Sequence, residues 1–500
     1  MKDTETKKVS GKRLVGSALV FAFCYVFLIA FYLIILLIRH GSGWTEYMSE
    51  NYNAFLSFCV SSFLLYAVVY YYYYFEDREL LCEAKNVLLI FSIFTTAILI
   101  CSVIGVFVNI YMRPTAMLAL LFVFLLNRRQ AIMLNFVFAI LMFVSDFYIK
   151  EFSAFDQVNA PYFSLIMCFV CGTFGIFAAS KAKTRGGLLL TGAIISAPTL
   201  LVVLVLQLAR STISWIEIIS SLGFSVFGCF ISAILALALM PIFELGFNRL
   251  TVFRLRELTS TNAPLLMRLQ KEAPGTFNHS LIVAQLAEMC AIAIGENTEL
   301  ARAAGYYHDV GKLKQPDCFV ENQTDYNIHD ELTPELSADI IRSHAHDGYD
   351  LLEQAHLPDI IKDVAREHHG TLPIKFFYNK AMKLSGGDSD IRDYSYLGPT
   401  PHSKIAAIVM IADPCEAAAR TLPDRSPDRV ERMVRSIIEE RMDLDQFADC
   451  DITLRELSII KETIVDALSG VHHHRVAYPA IRINREHNAV SEEEYNDGSM

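Results

Sequence analysis

The stretch ARAAGYYHDVGK (residues 301–312) places His308 directly before Asp309, where a run of small, helix-forming residues meets a Val-Gly-Lys turn. A His–Asp pair alone is weak evidence of a site; its meaning depends on what the rest of the chain can bring to it. On both sides, apolar residues recur at spacings of three and four, the period of a helix with one buried face. HSLIVAQLAEMCAIAIG (279–295), PELSADIIRSHAHDGYDLLEQA (334–355) and SKIAAIVMIADPCEAAART (403–421) all read this way. The first ends on a glycine stop and the second opens on proline. Almost no alternating strand pattern interrupts them. The segment 271–477 is therefore expected to be an all-α domain.

Upstream the composition changes. From Leu14 to about Phe247 the chain is mostly long apolar runs, whereas beyond Asn248 it is charged. Runs of about 20 apolar residues span a bilayer as helices. They lie near 14–38, 54–75, 87–111, 113–127, 131–149, 161–180, 186–208 and 214–247. About eight spans result, the fourth short enough to be half of a hairpin with the fifth. The first run is too long for a signal-peptide core and is expected to stay as an anchor.

Lysine and arginine favour cytoplasmic loops. With the N-terminus inside, the inner segments carry Lys2, Lys7, Lys8, Lys12, Arg13, Arg78, Lys85, Arg128, Arg129, Lys181, Lys183, Arg185, Arg249, Arg254 and Arg256. The outer loops carry only Arg39, Arg113, Lys150 and Arg210. Both termini are thus expected in the cytoplasm of a multi-pass membrane protein, with the lipid bilayer as a partner. YYYYYF (70–75) suits an interfacial aromatic belt. Asp146 lies near a helix end, where snorkelling to the interface competes with facing a cavity.

The net charge of −11 excludes general binding to a nucleic-acid polymer, which needs a basic face to displace counterions. The eleven cysteines imply no disulfide framework, and the Cys168–Cys171 pair sits in an apolar run. The residues 478–500 read as an acidic, disordered tail. Between membrane and soluble halves, residues 248–270 form an amphipathic connector.

Within the soluble half, His279, His308, Asp309, His344, His368, His369 and Asp413 fall at helix ends or on turns with a buried pattern. Imidazole and carboxylate suit a borderline divalent metal such as iron, manganese or zinc. Five imidazoles and two carboxylates exceed the needs of one four-coordinate ion. Two ions sharing a carboxylate would use them all, and such a pair clamps a phosphodiester while activating water. Asp309 is the natural bridge. His346, His356 and His472 to His474 read as surface residues, and His329 in NIHDEL is a weaker candidate for substrate contact.

His279, the His308–Asp309 pair and the distant Asp413 resemble the H…HD…D signature of HD-domain metal-dependent phosphohydrolases. APGTFNHSLIVAQLAE, ARAAGYYHDVGK, FVENQ, SHAHDGYDLL, REHHGT and KIAAIVMIADPCEAA together resemble the seven-transmembrane HD-domain cyclic-di-AMP phosphodiesterases of bacteria. That resemblance implies a first metal on His279, His308, Asp309 and Asp413, and a second on Asp309, His344, His368 and His369. It implies two divalent ions, iron or manganese, with Lys312 near the phosphates beside the catalytic Asp309. The implied substrate is cyclic di-AMP and the implied product pApA. Family members carry a large external domain after the first helix; here RHGSGWTEYMSENYN (39–53) stands in its place as a short outer loop, before a bundle at 54–247.

Rival readings remain. Cyclic-di-GMP hydrolases of the same fold carry Gly-Tyr-Pro after the paired histidines, and HHGTLPIKFFYNK lacks it. Nucleoside mono- or triphosphate hydrolases need one metal. A non-catalytic nucleotide receptor typically loses ligands that are all filled here, and a transporter is disfavoured by the lack of mid-membrane charge. Homodimerisation is left open.

Overall fold

A computed structural model describes residues 11–149, 159–209, 214–260, 262–323 and 326–470. The acidic tail, His472 to His474, Lys2, Lys7, Lys8, Lys150 and Arg210 lie outside the described residues. Among the described residues the structure is helical, and an isolated bridge between Pro373 and Ser395 is its one extended pairing. The chain divides into two compact units that part between Ala263 and Pro264, and His356–Ile360 groups with the first.

The first unit holds α1 (Gly11–His40), α2 (Trp44–Glu76), α3 (Arg78–Cys82), α4 (Ala84–Phe107), α5 (Met117–Leu125), α6 (Arg128–Ile149), α7 (Ala160–Ala179), α8 (Arg185–Leu208), α9 (Trp215–Phe247) and α10 (Val252–Leu258). Six stretches of this unit are long and apolar enough to cross a bilayer: the 64 residues from Arg13 to Glu76 that hold α1 and α2, then α4 and α6 to α9. Large apolar side chains such as Leu19 and Phe23 are about two-thirds exposed, as expected where lipid and not water is the solvent. This is a multi-pass membrane protein. Residues 39–53 are not a loop: a turn of Gly41–Gly43 suffices, and α2 starts at Trp44.

The fourth apolar run contracts to α5, whose nine residues rise about 14 Å at 1.5 Å each, half of a hydrocarbon core of about 30 Å. Before it the chain is broken, with a short 3₁₀ turn at Ile110–Met112. Every residue from Met117 to Phe122 is buried against neighbouring helices, so most of α5 touches protein.

Arg113, counted above with the outer loops, is drawn into the protein at that break, and of the two positions open to Asp146 the interior is the one observed. Both are buried, and Arg113 donates to the two Asp146 oxygens at 2.6 and 3.1 Å and to Ser164 Oγ at 2.7 Å. Gly105 leaves room for the guanidinium, since a Cβ there would lie 2.2 Å from Arg113 Nε. Buried charge is therefore present within this unit. Hydropathy missed it because an ion pair between residues 33 positions apart shows only in space.

The second unit comprises α11 (Pro264–Glu272), α12 (Pro274–Ile294), α13 (Thr298–Tyr307), α14 (Pro334–Gln354), α15 (Asp359–Glu367), α16 (Lys375–Leu384), α17 (Lys404–Thr421), α18 (Pro427–Asp443) and α19 (Leu454–Gly470). Side-chain caps start several of them: Asn297 accepts from Leu300 N, Thr333 from Leu336 N and Ser403 from Ala406 N. Gly295, at φ +80°, stops α12 in the left-handed conformation. α12 has the length and apolarity of a span, yet it packs inside this unit against α13, α17 and α19. Along α17, Ile405 to Asp413 are all buried. α12 and α17 are thus the central pair of helices, and each carries a charged or titratable residue into the interior.

Candidate metal centre

Helix breaks do the positioning. His308 caps the C-terminus of α13, and Asp309 begins a 3₁₀ turn at Val310–Lys314. That turn is possible because residue 311 is glycine: a Cβ there would lie 1.9 Å from the carbonyl oxygen of His344 and 2.5 Å from Gly348 N. The close approach sets Asp309 against α14. His344 projects from the middle of α14, His368 and His369 follow the last residue of α15, and Asp413 sits on α17 directly before Pro414. His279 lies in the second turn of α12.

These seven residues meet in two groups that share Asp309. His279, His308, Asp309 and Asp413 form one, and Asp309, His344, His368 and His369 form the other; within each, the ligand-type atoms lie within 4.8 Å of one another. Asp309 Oδ2 faces the first group, 3.3 Å from His308 Nε2 and 3.6 Å from His279 Nε2. Its Oδ1 faces the second, 3.3 Å from His344 Nε2 and 3.7 Å from His368 Nε2. His344 Nε2 and His368 Nε2 are themselves 3.3 Å apart.

Three of the histidines are oriented by their own helices. The Nδ1 of His308, His344 and His368 contacts the carbonyl oxygen three residues earlier, Gly305, Ile341 and Ala365, at 2.8, 2.5 and 2.8 Å. A carbonyl only accepts, so each Nδ1 carries the hydrogen and each Nε2 presents its lone pair inward. His279 uses a side chain instead: its Nδ1 is 2.5 Å from Glu416 Oε2, and its Nε2 is 2.9 Å from Asp413 Oδ1. His369 stacks on Tyr396 with ring centroids 4.2 Å apart.

Burial shapes the charges. It opposes ionisation of Asp309, but Lys312, with Nζ 2.7 Å from Oδ2, and His308 outweigh it and hold the carboxyl well below its usual range. Burial likewise opposes charge on Lys312, and Asp309 and Glu321 override it and raise the ammonium above its ordinary value. For His279 burial acts downward, yet Asp413 and Glu416 lift it to about 10. His368 and His369 are pushed down, chiefly by burial, and are therefore neutral near pH 7.

A divalent cation fits this donor set. His308 Nε2 and both oxygens of Asp309 are buried with no hydrogen bond of acceptable geometry among the described residues, despite the ion pair with Lys312. Leaving one such group unsatisfied costs about 1–3 kcal/mol, so three of them, divided between the two groups about one carboxylate, call for a cation in each.

Of the other candidates, Lys312 bridges Asp309 and Glu321 (2.8 Å) and stands over the Phe319 ring. His329 belongs to neither metal group: it is buried, contacts the Cys318 carbonyl oxygen through Nε2 at 2.8 Å and packs on Phe377. His346 is exposed, as expected. Sequence reasoning missed Glu416, Glu321 and Tyr396. Glu416 had a signal: it follows Asp413 by three residues, which puts both carboxylates on one face of α17. A recess of about 300 Å³ opens beside the first group, lined in part by Lys312, Glu321, Glu416 and Arg420.

Comparison with known proteins agrees with this architecture. Residues 52–251 match the family described as "7TM receptor with intracellular HD hydrolase", and residues 276–418 match the HD domain. The cyclic-di-AMP phosphodiesterase PgpH of Bacillus subtilis (strain 168) is 39% identical over 418 residues, 81% of this chain and 57% of that protein. Its namesake from Listeria monocytogenes serotype 1/2a is 37% identical over 371 residues, 74% of this chain and 50% of that one. The chain thus spans about half the length of these curated relatives. A crystal structure of the L. monocytogenes PgpH HD domain in complex with cyclic-di-AMP is 45% identical, covering 43% of this chain and 100% of that one, with a TM-score of 0.41. The chain thus carries a seven-transmembrane module that matches the one family model, followed by a domain that matches the HD family.

Proposed function

We propose that this chain is a membrane-bound, metal-dependent phosphodiesterase that hydrolyses cyclic di-AMP to pApA. The observation that carries the reading is the double group of imidazoles about one shared carboxylate, Asp309. Its two relatives named for this activity support the substrate. The HD domain, 271–477, is the catalytic part, the bundle at 54–247 the regulator and 248–270 the connector. The excess of lysine and arginine in the inner loops supports a cytoplasmic HD domain.

The metal ligands are assigned as His279, His308, Asp309 and Asp413 in one set and Asp309, His344, His368 and His369 in the other. When bound, two divalent ions, iron or manganese by the mixed donor set, supply positive charge to the phosphate and acidify water. The chain's residues create the need for them. Around the recess, Asp309, Glu321, Asp413 and Glu416 outnumber Lys312, Arg420 and a protonated His279, so the metal-free site disfavours a phosphodiester. Lys312 places a compact cation beside the reacting phosphate, held there by its two carboxylates. Asp309 holds the two sets in register, one oxygen toward each. Hydrolysis adds water across that bond and leaves one 5′-phosphate and one free 3′-hydroxyl.

The test is turnover of cyclic di-AMP and cyclic di-GMP by the full chain, purified in detergent with manganese or, anaerobically, with iron. Preferential conversion of cyclic di-AMP to pApA is expected. Turnover of cyclic di-GMP alone would reassign the substrate. Binding of either nucleotide without turnover in the metal-loaded protein would make it a receptor.

A further inference from the structure

Glu416 lies in neither metal group, yet it touches His279, whose orientation its own helix leaves open. His308, His344 and His368 are each oriented by a backbone carbonyl three residues back, which no substitution at another position removes. His279 is held from across the unit by Glu416 of α17, with Nδ1 2.5 Å from Oε2. The other oxygen, Oε1, accepts from Arg420 Nε at 2.7 Å, one turn further along α17. Glu416 is buried and Arg420 is about 40% exposed, so the arginine fastens the carboxylate from the recess side.

We infer that Glu416 is a positioning residue: it keeps the hydrogen of His279 on Nδ1 and turns Nε2 toward Asp413 and Asp309, making His279 a ligand for the first ion. This rests on the two-ion reading and extends it to a residue outside the ligand set. A carboxylate behind an imidazole ligand both fixes its tautomer and raises its basicity, and loss of such a partner typically weakens metal affinity by roughly 10–100-fold. The second group has no comparable dependence on Glu416, because two of its imidazoles are held by backbone.

The test compares the full chain with Glu416→Gln, Glu416→Leu and Arg420→Leu, each stripped of metal in detergent and titrated with Mn²⁺ alone. Stoichiometry and affinity are the readouts, with melting of the metal-free forms as the check on folding. The wild type is expected to bind two ions. Glu416→Leu should keep one and bind the other about 10–100-fold more weakly. Glu416→Gln should fall between, since its amide oxygen still accepts from Nδ1, and Arg420→Leu should keep both ions. Wild-type affinity in both Glu416 variants overturns the inference. So does equal loss in all three variants, because a role confined to pairing with Arg420 is lost equally in each. Should the leucine variant not fold, the glutamine variant decides: weakened binding supports the role and unchanged binding refutes it. A wild type that binds a single ion refutes the two-ion reading, and weakening of that ion by Glu416→Gln still decides for or against Glu416.

Discussion

Substituting Asp309 by asparagine keeps the shape of the residue and removes its charge. Each oxygen of Asp309 faces a different group, with His308 3.3 Å from Oδ2 and His344 3.3 Å from Oδ1. An amide offers one acceptor in place of two, and its NH₂ turns donor hydrogens toward whichever group it faces. Both ions should therefore weaken. Breaking a buried ion pair costs about 3–5 kcal/mol when it strands a charge, but Lys312 retains Glu321 at 2.8 Å. The fold should survive. Paired ions contribute several kcal/mol to a phosphoryl transition state; losing about 4 kcal/mol, at 1.36 kcal/mol per factor of ten, predicts a rate lower by roughly 10³. The assay is chromatographic measurement of pApA, with metal per chain counted in the same sample. His344→Ala is the comparator, expected to lose one ion and keep the other. If Asp309→Asn kept two ions and more than about a tenth of wild-type turnover, a threshold far above the loss worked out here, the bridging role would be wrong.

Gly311→Ala should force the 3₁₀ turn away from α14, because the added Cβ meets backbone atoms at 1.9 and 2.5 Å. A loss of about 1–3 kcal/mol and weakened metal binding are expected, and an unchanged melting temperature would count against the close approach. Arg113→Leu strands Asp146 inside the bundle and should destabilise it by about 3–5 kcal/mol, whereas Arg113→Leu with Asp146→Leu should recover much of this. Apparent melting in detergent distinguishes the two, and equal melting of single and double variants would refute the pairing. His279, lifted to about 10, carries a proton in the metal-free protein below that pH, and an incoming ion must displace it from Nε2. Metal affinity should rise with pH between about 6 and 9, with proton release detectable in weakly buffered solution; loading without release would refute the shared proton.

The membrane runs were legible because about 20 apolar residues in a row are a local property that the bilayer dictates. The seven candidate ligands were legible for a related reason. Each sits at a helix end or on one face of a strongly periodic helix, so their common destination in the core could be read without coordinates. Glu416 and Arg113 were not legible in this way. A glutamate on an apolar helix and an arginine after an apolar run look like surface residues until their partners are known, and those partners lie 137 and 33 positions away. His329, the weaker candidate in a polar stretch, lies apart from both groups and packs on Phe377.

What the sequence determined by itself is whatever depends on neighbours along the chain: helix periodicity, caps, span lengths, and the supply of imidazole and carboxylate. What only the tertiary structure decided is which nitrogen of His308, His344 and His368 points inward, that α5 is a largely buried half-helix, and that Arg113 pairs with Asp146. Tautomer, burial and ion pairing are set by atoms within about 3–4 Å in space, where low dielectric makes a single contact worth several-fold more than in water. Distance along the chain says nothing about those contacts.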